Sequence, residues 1–258
     1  MPPNATVIVE ERDIATRAIM VINVGKNRRV VQISPDGEHM HIQMKIDVHV
    51  SAMIMSFHRS CLVDAFYDKK GLASFVSEIN NDGKMTRLTG MREKVFGEKV
   101  VFSIYGISNG KPVNREIPFS MIDMTNIEYF AYAAAMTRSD VTWRILNLFN
   151  GNLEIVRLHP EGVEQCPQPF QNSCYRVAMT APDNEGMFYY TMDGILAEAK
   201  GDDALGNYIL KPPVLWKQEK KTNGLFKSLT SDPNKSKQKQ TSDTSTRETA
   251  HTQESGSK

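Results

Sequence analysis

The sequence predicts an α+β fold, an antiparallel β-meander with hairpins packed with short helices, plus a disordered C-terminal tail. Three observations carry this. Residues 39–50 alternate polar and apolar side chains without a slip. Several apolar stripes recur at i, i+3, i+4 and i+7 further along. From Lys217 onward the composition collapses to Lys, Gln, Ser, Thr, Asn and Asp. The first is the signature of a half-buried strand, the second of a helix, and the third of a chain too polar to offset its own entropy.

The N-terminal region reads as four strands. Thr6–Glu10 is the first, and Thr16–Val24 the second. Residues Ala18 to Ile22 are apolar throughout, as in a strand covered on both faces. Gly25-Lys26-Asn27 reads as a turn, and Arg29–Ser34 as the third strand. Pro35-Asp36-Gly37 then turns the chain tightly, because Pro presets φ and Gly accepts positive φ. The fourth strand, from Glu38 to Val50, places Met40, Ile42, Met44, Ile46, Val48 and Val50 on one side. His39, His41, Gln43, Lys45, Asp47 and His49 fall on the other.

Helix is expected from Ser56 to about Asn80. Cys61, Leu62, Ala65 and Phe66 make one stripe, and Leu72, Phe75, Val76 and Ile79 a second, with Gly71 between two short helices. Lys99–Ser108 and Lys111–Phe119 flank Asn109-Gly110, the preferred pair for a type I′ hairpin turn. Thr125-Asn126-Ile127-Glu128 has the T-x-x-E form of a capping box, and a helix is expected from there, broken near 137–140 and followed by another from Val141 to Asn150. Asn152–His159 reads as a strand, Tyr175–Ala181 and Met187–Met192 as a hairpin, and Ile195–Lys200 as a short helix. The domain expectation is a globular region over 1–216, with a candidate subdomain boundary near 81–97, and a disordered Lys/Ser/Thr-rich tail over 217–258.

The net charge of +1 conceals an asymmetry. The tail from Lys217 has nine basic and five acidic residues, a net of +4, so residues 1–216 carry −3. An acidic body is unlike a general phosphate binder, whose positive charge sits on its folded surface. The start of the chain has no basic-then-apolar leader, and no run approaches the roughly 18 apolar residues of a spanning helix. The expectation is a cytoplasmic protein without a transmembrane segment; Cys166 and Cys174 could pair across a loop, but reduced thiols are the expectation there.

Candidate chemistry is sparse. His39 and His41 form an H-x-H pair about 6–7 Å apart on one strand face, a spacing from which imidazoles can share a transition metal if another strand supplies further ligands. His58 and Cys61 stand at i, i+3 on the expected helix, in reach of a thiolate–imidazolium pair. Arg28 and Arg29 could grip a phosphate, but adjacent strand residues face opposite ways. Phe188, Tyr189 and Tyr190 suit base stacking or core packing. No P-loop, dinucleotide fingerprint, nucleophile elbow or H-E-x-x-H is present. No cofactor is expected.

The function expected from these features is that of a non-enzymatic binding or adaptor protein, an accessory subunit of a larger assembly with a protein partner. Its basic tail would supply a partner-binding element: Leu225, Phe226 and Leu229 on one face of a short helix, with Lys217, Lys220, Lys221 and Lys227 around them. Two alternatives stand beside it. One is a nucleic-acid-binding accessory protein whose tail holds phosphates. The other is a metal-dependent enzyme using His39 and His41.

Overall fold

The structure is a computed structural model that describes residues 5–17, 21–52, 55–94, 99–182, 184–203 and 206–221. It is mainly β. Eight strands come first: β1 (Ala5–Arg17), β2 (Val21–Ile33), β3 (His39–Ala52), β4 (Met55–Asp68), β5 (Gly71–Asn81), β6 (Lys84–Lys94), β7 (Val100–Ser108) and β8 (Lys111–Pro118). A 3-10 turn (Phe119–Met121), the two-residue β9 (Met124–Thr125) and one short helix, α1 (Phe130–Thr137), follow. The chain then runs through β10 (Val141–Asn147), β11 (Asn152–Gln165), β12 (Ser173–Ala181), β13 (Asn184–Thr191), β14 (Leu196–Asp203) and β15 (Gly206–Lys221).

Among the described residues all fifteen strands belong to one sheet, ordered β8-β7-β6-β5-β4-β3-β2-β1-β15-β14-β13-β12-β11-β10-β9. Every pairing is antiparallel except β9 with β10. Strands adjacent in the sheet are also adjacent in sequence, save that β1 lies against β15. The first and last described strands therefore meet at the centre, and β8 and β9 form the edges. Those edges are only five residues apart in sequence. Laid flat, fifteen strands would span about 67 Å, whereas so short a link reaches about 20 Å at most. The sheet must curl until its edges approach. Contacts across the interior agree: Arg115 of β8 donates to the carbonyl of Gly151 in the β10–β11 turn at 3.0 Å, and the methyls of Leu88 and Ile104 lie close to Gly151.

The concave face holds the core. Ile42, Val63, Phe75, Leu88, Phe102 and Ile104 from β3 to β7 pack with Ile127, Leu146 and Leu148. Ala131, Ala134 and Ala135 of α1 pack on Val156, Leu158, Val177, Met179 and Tyr190. The segment from Met124 to Thr137 thus fills the hollow instead of lying outside the sheet.

The turn chemistry behaves as the sequence implies. Gly37 has φ +70° and its N–H bonds Ser34 at 2.9 Å, closing β2 to β3. Asn109 and Gly110 both have positive φ, the type I′ requirement.

Most of the helices are corrected to strands. The expected helical stretch 56–80 is β4 and β5, 141–150 is β10 and its turn, and 195–200 lies largely in β14. A bulge explains the misleading stripe in β5. Tyr67 pairs with Leu72 but Phe66 with Ser74, so Ala73 is an extra residue. The inward parity shifts from Leu72 to Phe75, Ser77 and Ile79. An inserted residue turns a period of two into an i, i+3 step, which imitates a helix. In β4, Cys61 and Ala65 do face inward, but Leu62 and Phe66 face out.

Other expectations also shift. T-x-x-E opens a turn, not the helix: the Glu128 carboxylate accepts the Thr125 N–H at 2.7 Å, but the Thr125 hydroxyl bonds Tyr67 instead of the Glu128 N–H, and α1 starts only at Phe130. Gly25 is not a turn but the middle of β2, where a side chain would collide with the backbone of Asp47. Residues 81–97 are no boundary within their described part, because β6 pairs on both sides with β5 and β7. Finally, β15 runs to Lys221, five residues into the expected tail. Pairing to β1 satisfies the backbone whatever the side chains are, so a polar sequence is no bar to that strand.

Candidate functional site

The long strand that poses the chemical question is β3, and its polar side faces outward. His41 does not stand free there. Its Nε2 is bonded to the Asp64 carboxylate of β4, and its ring stacks on Phe66 with centroids 4.3 Å apart and planes 3° from parallel. The apolar alternation of β3 and the two-sided apolarity of β4 place these groups together, because His41 pairs directly with Phe66 and Gln43 with Asp64.

From Phe66 an apolar surface spreads over β4 to β7. Val76 pairs with Asp64 and lies diagonally between Leu62 and Phe66. Met91 is opposite Ser74, Tyr105 opposite Thr89, and Ile107 opposite Arg87. Leu62, Phe66, Val76, Met91, Tyr105 and Ile107 are all exposed, Val76 by 53% and Ile107 by 54%. They share the outer face of four adjacent strands, with Asp64, Ser74, Thr89 and Arg87 set among them in the register. Scattered surface apolar residues are ordinary, but a gathering of them on one face with a polar rim marks an interaction surface.

The rim is charged. Glu78 pairs with Arg87 at 3.1 Å. On the β1–β3 side a groove of about 400 Å³ opens, lined by Glu11, Lys26, Arg28, Lys45, Asp47 and His49 among others. Arg28 pairs with Glu11 at 3.1 Å, and His58 reaches Asp47 at 3.4 Å.

The sequence-derived candidates fare differently. His39 and His41 share the outer face of β3, and β4 brings Asp64 to His41. Among the described residues no three His, Cys, Asp or Glu side chains gather as a metal cluster. His58 and Cys61 lie three apart on a strand, hence on opposite faces. Cys61 is buried, and burial pushes its thiol pKa up, so it forms no thiolate pair. Cys166 and Cys174 are not reduced thiols but a disulfide, packed beside Ala197, Phe170 and Tyr189. Arg28 faces out and Arg29 in, as strand geometry requires. Tyr190 is buried beside Phe188, whereas Tyr189 lies under Lys200, 5.3 Å from its ring centre. Lys217, Lys220 and Lys221 lie within β15, opposite Val9, Thr6 and Ala5, so they are sheet residues and not part of a disordered tail. Leu225, Phe226, Lys227 and Leu229 lie outside the described residues.

The sequence reading missed the patch because it assigned Leu62, Phe66 and Val76 to buried helix stripes. The signal at hand was the run from Cys61 to Phe66, whose apolar residues suit neither one strand face nor one clean helical stripe.

Comparisons with known proteins speak to the fold. A family model described as "Domain of unknown function (DUF6134)" matches residues 23–212. No curated protein matches the chain. Among solved structures, a similar one is the "Crystal Structure of Beta-barrel-like Protein of Domain of Unknown Function DUF1849 from Brucella abortus". The TM-score is 0.59 at 12% identity, over 83% of this chain and 98% of that one. That likeness is one of fold, and a barrel-like form suits a sheet whose edges curl together.

Proposed function

The chain belongs to the DUF6134 family, and we propose that it is a non-enzymatic binding protein that docks a protein partner on the outer face of β4 to β7. The observation that carries this reading is the gathering of exposed Leu62, Phe66, Val76, Met91, Tyr105 and Ile107 on one face of four adjacent strands. Exposed aliphatic, aromatic and Met side chains interspersed with charged ones on one face have the composition of a protein–protein interface. The stacked His41–Phe66 pair gives one margin of the face a fixed shape. The Cys166–Cys174 disulfide supports an oxidising compartment as the place of work.

The test pairs the wild-type chain with a Val76→Lys/Ile107→Lys variant as immobilised baits in extract of the source cells. Central interface residues dominate affinity, so capture of the partner should fall about tenfold or more. Both side chains are exposed, so the melting temperature should not move. Equal capture by the two baits would remove this reading.

A further inference from the structure

The groove of about 400 Å³ on the β1–β3 side has its origin in the backbone. Gly25 pairs with Ile14 but Asn23 with Ala15, so Val24 is an extra residue in β2. Such a bulge bends its strand. At Gly25, beside it, a Cβ would collide with the Asp47 carbonyl, so β2 and β3 approach too closely there for a side chain. Val24 and Gly25 both line the groove. Bulges and strand glycines recur where a strand makes room for something to approach.

The charge in the groove opposes that of the protein around it. Residues 1–216 carry a net −3. In the groove, Lys26, Arg28 and Lys45 face Glu11 and Asp47, which leaves one positive charge over. Arg28 and Lys45 are directly opposite each other in the β2–β3 register, a placement that costs stability. Glu11 pairs with Arg28 at 3.1 Å, and Asp47 is engaged by His58 at 3.4 Å. Neither Lys26 nor Lys45 forms an ion pair among the described residues. On its other side Lys45 is directly opposite the exposed Leu62 of β4. The unpaired lysine therefore stands where the groove meets the β4–β7 face.

We infer that the groove is the acidic-residue subsite of that docking face, and this subsite rests on the reading of β4 to β7 as the place where a protein partner binds. An Asp or Glu side chain of the partner seats its carboxylate between Lys26 and Lys45, which are diagonal neighbours across β2 and β3, while adjoining partner residues cover Leu62. One surplus positive charge matches one carboxylate. A nucleic-acid backbone brings a charge at every step, against Glu11, Asp47 and an acidic body. Residues 217–258 of the chain itself, at a net +4, have the wrong sign.

The experiment is an NMR titration of the isotope-labelled full chain with a blocked hexaglutamate peptide at about 50 mM salt, with hexaglutamine as the neutral control. The expected result is saturable shifts of the Lys26, Arg28, Lys45 and Leu62 amides, absent with hexaglutamine and lost near about 0.5 M salt. Lys45→Glu should weaken binding about fivefold or more, and Lys45→Arg should retain it. Lys111→Glu makes the same change of net charge on exposed β8 and should leave affinity within about twofold. Lys45→Glu also sets an acid opposite Arg28, so its melting temperature should hold or rise, which separates lost binding from a lost fold. No saturable shift in the groove, or an equal response from Lys45→Glu, would overturn the inference. Tighter occupation of the same amides by hexathymidylate would overturn it in favour of nucleic acid. The probe leaves Val76 and Ile107 untouched. A failed titration beside partner capture that still depends on Val76 and Ile107 removes the subsite alone, whereas an intact titration with equal capture by the two baits removes the docking face.

Discussion

At the level of single residues, Asp123 does the work of a missing strand. β10 has a full partner in β11, but β9 covers only Ile145 and Leu146 on its other side. Asp123 meets the open backbone of Arg144 there. Its N–H donates to the Arg144 carbonyl at 3.0 Å, and its carboxylate accepts the Arg144 N–H at 2.8 Å. The Arg144 guanidinium closes on the same carboxylate at 2.7 Å. Hydrogen bonding to Arg144 holds the Asp123 pKa below the ordinary carboxylate value. A lowered folded pKa contributes stability above the unfolded value and loses it as pH falls through the folded one. The melting temperature of the wild type should therefore drop as pH falls below about 4. Asp123→Asn should flatten part of that acid limb while costing stability at neutral pH. Parallel melting curves against pH for the two proteins would refute the assignment.

Among the elements, the β11–β12 hairpin carries the disulfide. Cys166 and Cys174 close a loop of eight-residue separation, and both cysteines are buried. Cross-linking so short a loop removes about 2–3 kcal/mol of unfolded-chain entropy. Cys166→Ala/Cys174→Ala should lower the unfolding free energy by about that amount in denaturant titration. An unchanged midpoint in non-reducing buffer would show that the bridge does not form. Elements also show where sequence reading succeeds. The hairpins at Pro35–Gly37 and Asn109–Gly110 were legible because their turn residues meet a local backbone demand. β5 was not, because the bulge at Ala73 shifts its parity, and nothing local separates a bulged strand from a helical stripe. The patch at Leu62, Phe66 and Val76 was lost with it, and with the patch went most of the candidate site.

Across the molecule as a whole, the pairing of β1 with β15 is the one neighbour relation that sequence order does not supply. It joins the two arms of the meander along Ala5 to Thr16 and Tyr208 to Lys221. A chain ended after Leu210 would leave most of β1 without a partner on that side. Its melting transition should fall by more than about 10 °C or lose cooperativity, roughly what several buried backbone hydrogen bonds are worth. A chain ended after Lys221 keeps the pairing and serves as the control. Equal transitions for the two would show that the arms hold without their seam.

The hairpin turns at Pro35–Gly37 and Asn109–Gly110 and the polar–apolar alternation of β3 are written in the residues themselves. Each is enforced within a few positions, by φ preferences or by the period of two. Four outcomes came only with the folded chain: β4 and β5 are strands with apolar residues on both faces, Arg29 is an interior group, Cys166 meets Cys174, and β15 extends to Lys221. They depend on which segments cover one another across the curled sheet. Burial is a relation between distant parts of the chain, and no local period records it.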